Sequence, residues 1–282
     1  MKYWELDHKE VLEILPDRDL WGHKGDFGRI ILLCGSKGYT GAAALAAMGA
    51  LRSGAGLVYL GVPESIYVIE AVKLLEPVVF PLPDEGGKLS KNAIPEIQEL
   101  LLKMDAVLIG PGLGQSEGVL SVVQEVLRSF EGPLVLDADG INILSGHKDI
   151  LRGRVFPTIL TPHDGEFSRI GGKIITDRIG SAAALAKDLG CIVVLKGHET
   201  VITDGYEYCV NHTGNPGMAV GGSGDVLAGI IVSFLGQSIA PMKAAACGVW
   251  LHGAAGDRCV QRLGQYGMLP SDMLDELPRL LK

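Results

Sequence analysis

The sequence predicts an α/β fold in which a mostly parallel central sheet is covered by helices on both faces. Three observations carry this. Short runs that are apolar at every position recur along the chain, as strands buried on both faces require. Segments of helical length separate them. Glycine is abundant, at 39 of 282 residues, and sits mostly where the apolar runs end, the punctuation of tight strand–helix turns.

Taken in order, residues 29–34 (RIILLC) stop at Gly35-Ser36 and read as a buried strand. The Ala-rich stretch 41–52 reads as a helix and 57–60 as the next strand. Residues 106–109 form a strand ending in Gly110-Pro111-Gly112-Leu113-Gly114, followed by a helix over about 118–129. The strand 133–136 ends at Asp137-Ala138-Asp139, and 158–160 ends at Thr161-Pro162-His163. A helix over 181–189 leads to a strand over 192–195. Residues 201–203 and 206–210, joined through Asp204-Gly205, read as a hairpin. From Gly224 onward the pattern is mainly helical. No linker, low-complexity segment or repeat interrupts the chain. Residues 1–282 are therefore expected to form a single domain, with 1–20 as a lead-in. Such sheets bind ligands outside the carboxyl ends of their strands. That singles out Gly35-Ser36, 110–114, 137–139, 161–166 and 196–200.

The net charge of -8 argues against a broadly basic nucleic-acid surface. The five cysteines (Cys34, Cys191, Cys209, Cys247 and Cys259) form no C-x-x-C pair, and their scatter suggests no zinc site. Their odd number fits a reducing cytoplasm better than a disulfide framework, and each reads as a small buried hydrophobe. The start, Met1-Lys2-Tyr3-Trp4-Glu5, has charges where a signal peptide needs an apolar run. The most apolar stretch, 42–62, is broken by Arg52 and four glycines, so it is not a membrane span.

The strongest chemical signal is Asn215-Pro216-Gly217-Met218-Ala219-Val220-Gly221-Gly222-Ser223-Gly224-Asp225, running into an apolar segment of helical length. Glycines let the backbone turn sharply and approach a ligand closely. Free N–H groups at the helix start, with the positive end of its dipole, form an anion site. Asp225 falls in the first turn beside it. It is either a favourable helix-terminus charge or a general base that takes a hydroxyl proton while the amides steady a transferring phosphoryl group. No G-x-x-x-x-G-K-[ST] loop occurs, and no convincing dinucleotide G-x-G-x-x-G fingerprint.

Gly-Gly-Ser-Gly-Asp opening a helix resembles the anion hole and catalytic aspartate of ribokinase-like kinases, which implies a three-layer α/β/α fold. Seven further segments, in order, narrow the resemblance: His23-Lys24-Gly25, residues 35–42, 110–114, 136–139, 160–166, 194–197 and Gly214-Asn215. Over about residues 20–280 the chain resembles the NAD(P)H-hydrate dehydratases, in their ADP-dependent, bacterial, single-domain form. Ser223 stands where Thr is frequent and Asp164 where Pro is frequent; neither removes a needed group.

The resemblance implies an enzyme that phosphorylates the carbon 6 hydroxyl of hydrated NADH or NADPH (the S hydrates, NADHX and NADPHX) and eliminates phosphate. ADP is the phosphoryl donor and magnesium is expected. It implies Asp225 as base and Gly221, Gly222, Ser223 and Gly224 as the phosphoryl cradle. Ala42, Gly112, Gly114 and His163 match cofactor-hydrate contacts. Lys196, Gly197, His198, Glu199 and Thr200, with Gly224, match the nucleotide-binding segment. Glu166 either organises magnesium through water or caps a helix. Asp137 and Asp139 either orient substrate or metal-bound water, or cap the helix that follows. A homotetramer is implied, acting with a separate epimerase, because about 20 residues before the matching region are too few for an epimerase domain. Two other readings stay open: a kinase of the same superfamily acting on a vitamin-precursor alcohol, and a nucleotide-binding sensor without catalysis.

Overall fold

The computed structural model describes residues 1–173 and 177–281. Its strands are β1 (Lys2–Tyr3), β2 (Arg29–Leu33), β3 (Leu57–Pro63), β4 (Val78–Leu82), β5 (Asp84–Glu85), β6 (Lys88–Leu89), β7 (Ala106–Ile109), β8 (Leu134–Leu136), β9 (Thr158–Leu160), β10 (Ile192–Leu195), β11 (Thr200–Thr203) and β12 (Glu207–Asn211). The helices are α1 (His8–Ile14), α2 (Thr40–Arg52), α3 (Glu64–Lys73), α4 (Ile94–Leu101), α5 (Glu117–Ser129), α6 (Asp139–Asn142), α7 (Asp149–Arg152), α8 (Asp164–Arg169), α9 (Arg178–Leu189), α10 (Ser223–Gly236), α11 (Pro241–Gly267) and α12 (Pro270–Glu276).

Ten strands form one sheet in the order β1-β12-β11-β10-β9-β8-β7-β2-β3-β4, while β5 and β6 pair as a separate hairpin. Neighbours from β10 to β4 run parallel, and only β11 is reversed. The predicted parallel sheet is thus observed, with β7, β9 and β10 at their expected bounds. The lead-in joins the fold: β1 pairs with β12, and the His8 ring stacks on Trp250 of α11. Along β2, Ile30 and Leu32 pack toward the layer containing α2, α10 and α11, and Ile31 and Leu33 toward the layer containing α4, α5 and α9. This alternation explains why the central strands are apolar throughout.

The layer with α10 fixes the site. Helix α10 is buried from Val226 to Gly236, a helix walled in on every side rather than an amphipathic one. It lies close against Ala-rich α2. A β-carbon at Gly229 would collide with the Ala46 carbonyl, and one at Gly49 would sit 2.7 Å from the Val226 carbonyl oxygen. Small residues on both helices therefore bring the backbones together, with Leu45 of α2 close to Gly222 at the start of α10.

Candidate active site

The predicted residues converge at the carboxyl ends of β2, β7, β8, β9 and β10. Gly222 takes a left-handed conformation (φ 99°) and swings the chain into α10. Over 221–225, the only amide with a backbone partner among the described residues is that of Ser223, which donates to the Val220 carbonyl at 3.3 Å. The remaining amides crowd the start of a buried helix, an arrangement that favours an anion. Asp225 stands in this first turn. Burial, followed by the nearby Asp137 carboxylate, pushes its pKa up to about 7 despite Lys196.

Lys196, just past β10, is the cation of the site. Its Nζ donates to Asp137 Oδ1 at 2.8 Å and lies 3.7 Å from Glu166 Oε2. Burial opposes its charge, but Asp137, Glu166 and Asp225 outweigh that, and its pKa lies above the usual lysine value. Gly224 faces the same spot: a β-carbon there would be 3.3 Å from Lys196 Nζ and 4.0 Å from Asp137 Oδ2. Asp137 is buried and also accepts from Thr161 Oγ1 at 2.7 Å. Asp137, Glu166, Lys196, Gly224 and Asp225 therefore form one cluster.

A second cluster lies beside it. Asp139 Oδ2 accepts from the Gly114 amide at 2.8 Å, so this aspartate ties down the 110–114 loop. A β-carbon at Gly110 would overlap the Asp137 carbonyl oxygen, and one at Gly112 would sit 2.9 Å from the Ala42 β-carbon. Ala42, Gly112 and Gly114 thus meet at a single turn, joined to the first cluster through residues 137–139. Ala138 between them has φ 48°, a strained conformation for a residue with a side chain.

His163 caps α8. Its Nδ1 accepts from the Gly165 amide at 3.0 Å, and its backbone N–H donates to Glu166 Oε2 at 2.9 Å, closing a capping box. The ring is still half exposed and Nε2 lies 3.3 Å from Glu166 Oε1. Glu166 thus takes the capping role and also faces Lys196. The remainder of 196–200 is less convergent. Thr200 Oγ1 donates back to the Gly197 carbonyl at 3.0 Å, while Glu199 pairs with His212 at 3.5 Å. His198 is exposed.

Sequence reasoning missed three supporting residues. His252 on α11 is buried, and its Nε2 donates to the Ser223 carbonyl at 2.9 Å, bracing the start of α10. Burial lowers its pKa to about 4, so it is neutral. Asp257 accepts from the Gly214 amide at 2.8 Å and from Asn215 Nδ2 at 3.0 Å, anchoring the approach to the glycine cluster. Arg178 donates to the Lys196 carbonyl at 2.9 Å and to Asp164 Oδ1 at 2.8 Å. None of the three is close in sequence to what it holds.

The fold and this site define a ribokinase-like α/β protein. A ribokinase-like superfamily protein from Enterococcus faecalis V583 superimposes with a TM-score of 0.87 at 28% identity, over 98% of this chain and 94% of that one. The family model described as NAD(P)H-hydrate dehydratase matches residues 30–279, and the chain belongs to that family. An ADP/ATP-dependent NAD(P)H-hydrate dehydratase from Bacillus subtilis, co-crystallised with ATP and Mg2+, is 32% identical with a TM-score of 0.84, covering 99% of this chain and 97% of that one. The bifunctional NAD(P)H-hydrate repair enzyme Nnr of Moorella thermoacetica is 44% identical over 275 residues, 95% of this chain and 52% of that one. The chain spans about half the length of the curated relatives it matches.

Proposed function

We propose that this chain is an ADP-dependent (S)-NAD(P)H-hydrate dehydratase that restores NADH and NADPH from their hydrates. The carrying observation is Asp225, a carboxylate with its pKa pushed up to about 7, beside the glycine amides at the start of α10. Such a group is a far better proton acceptor than an ordinary aspartate.

The carbon 6 hydroxyl of the hydrate attacks the β-phosphorus of ADP. The new O–P bond forms as the bridge to the α-phosphate breaks, releasing AMP. Asp225 takes the hydroxyl proton, and the amides of Gly221, Gly222, Ser223 and Gly224 steady the transferring group. Electron donation from the ring nitrogen then expels phosphate with the carbon–oxygen bonding pair. Loss of a proton from carbon 5 restores the double bond. Lys196, cationic and backed by Asp137, would meet the nucleotide phosphates together with Gly197, His198, Glu199 and Thr200. Ala42, Gly112, Gly114 and His163 would seat the hydrate.

The donors fit a magnesium ion carried on the nucleotide. Among the described residues no three His, Cys, Asp or Glu side chains are grouped to hold a metal directly. Phosphate-bound magnesium needs only one or two carboxylates and keeps several waters. Glu166, whose oxygens already face His163 and Lys196, would hold it through water, and the ion would offset phosphate charge. The five free, buried cysteines support a reducing, cytoplasmic location. We place the chain there as a homotetramer, with an epimerase supplying the S hydrate.

The test is to incubate the protein with hydrated NADH, ADP and magnesium and follow the NADH absorbance band. Recovery with stoichiometric AMP and phosphate is expected. No recovery, with phosphorylation of a thiazole or pyrimidine alcohol instead, would make it a vitamin-precursor kinase. ADP binding with no turnover of any substrate would make it a nucleotide sensor.

A further inference from the structure

The hairpin of β5 and β6 lies outside the main sheet, yet it touches both loops around Ala42 and Gly112. On one side the Lys37 amide donates to the Gly87 carbonyl at 2.9 Å, and the Lys37 side chain runs along the Gly87 turn, with Cδ 3.2 Å from where a β-carbon would stand. On the other side the Lys88 stem lies over Gly114, Cε 2.9 Å from that residue's would-be β-carbon, and its Nζ donates to the Gln115 carbonyl at 3.0 Å. A single acceptor leaves the Lys88 ammonium two further N–H donors.

Tyr39 completes the arrangement. It precedes α2, is 62% exposed, and its Cβ and carbonyl oxygen lie 3.0 and 3.1 Å from the position of a β-carbon on Gly112. A solvent-facing aromatic ring next to a left-handed glycine turn offers a flat surface to a heterocycle. Of the hairpin's acids, Asp84 is turned away and accepts from the Ser65 hydroxyl and amide.

We infer that Lys37, Tyr39 and Lys88 form the subsite for the part of the dinucleotide that does not react. The two amines meet the pyrophosphate and the tyrosine face meets one of the rings. This rests on the reading of the chain as a hydrate dehydratase and adds to it a means of telling a dinucleotide from a mononucleotide. Contacts of this kind are made equally before and during the reaction at Asp225, so they lower KM and leave kcat unchanged.

Equilibrium binding of NADH and of reduced nicotinamide mononucleotide by calorimetry tests it, with steady-state kinetics on the hydrates of both. The wild type is expected to bind NADH at least tenfold tighter than the mononucleotide. Lys37→Gln combined with Lys88→Gln should erase that preference. KM for hydrated NADH should rise at least tenfold, with kcat, KM for ADP and the values for the hydrated mononucleotide within twofold. Lys88→Arg, which keeps the charge, should retain most of the preference, and Tyr39→Ala should raise KM for hydrated NADH alone. Equal losses for both substrates, or an unchanged NADH preference in the double variant, would overturn the assignment, as would a wild type with no preference. A wild type that binds NADH preferentially but does not dehydrate its hydrate would uphold the subsite and refute the dehydratase reading.

Discussion

Two glycine turns serve this site, and they use glycine differently. In 110–114 the glycines are packed. Gly110 has no room for a β-carbon, and Gly112 and Gly114 press on Ala42 and Lys88. In 221–225 the outermost glycine is open, with nothing within 4 Å of a β-carbon at Gly221. Glycine at the first turn lets the protein close on itself; at Gly221 it leaves the backbone open to a ligand, while Gly222 beside it serves the left-handed bend into α10 and a close approach to Leu45. Glycine-rich composition alone does not tell a structural turn from a working one. The contacts around each residue do.

The sharpest test of the working turn is Asp225→Asn. Turnover should fall about 10²–10⁴-fold, with ADP binding by calorimetry changed less than threefold. An unchanged rate would remove Asp225 from the chemistry. The same substitution should stabilise the protein at pH 8. Burial raises this carboxyl, so the folded state keeps a proton that the unfolded chain releases. That contribution is present at acid pH and drains away as pH climbs through about 7. The expected gain at pH 8 is on the order of 2 kcal/mol by urea denaturation.

The packed turn should answer differently. Gly110→Ala combines φ 138° with a collision against the Asp137 carbonyl. A loss on the order of 3 kcal/mol or more is expected, read as a lower urea midpoint. Near-wild-type stability would show that the turn can relax and weaken the contrast.

A pH profile probes the acid itself. In the free enzyme, kcat/KM should rise about tenfold per pH unit below about 7 and level off above it. A profile flat from pH 5.5 to 8 would mean that Asp225 does not titrate there. The smallest stability effect belongs to Gly221→Ala, expected within about 0.5 kcal/mol of wild type. Turnover should nevertheless drop roughly tenfold, as one obstructed donor weakens the hold on the phosphoryl group. If stability fell and turnover did not, the two turns would be alike.

Much of the fold was legible because β2, β7, β8, β9 and β10 lie inside the sheet and are apolar at almost every position. Residues 64–105 went unread for a physical reason. Helix α3 exposes Val68, Ile69 and Val72, which blurs its amphipathic pattern. Strand β4 is an edge strand containing Pro81, and strand patterns weaken there. In the site, the glycine cluster and Asp225 announced themselves by local pattern. The Asp137–Lys196 pair did not, because its members are 59 residues apart and meet only through sheet order. His252 and Asp257 left no trace in a long helix, since what each holds lies 29 and 42–43 residues earlier.

The burial of α10 on every side has a consequence for how turnover proceeds. A side chain mounted on such a helix rides on a backbone that packing holds in place, so under the proposed function nucleotide and hydrate must come to it. A compound shaped to the acid would therefore meet a tightly packed mount beneath it and would have to add grip from the surface around the turn.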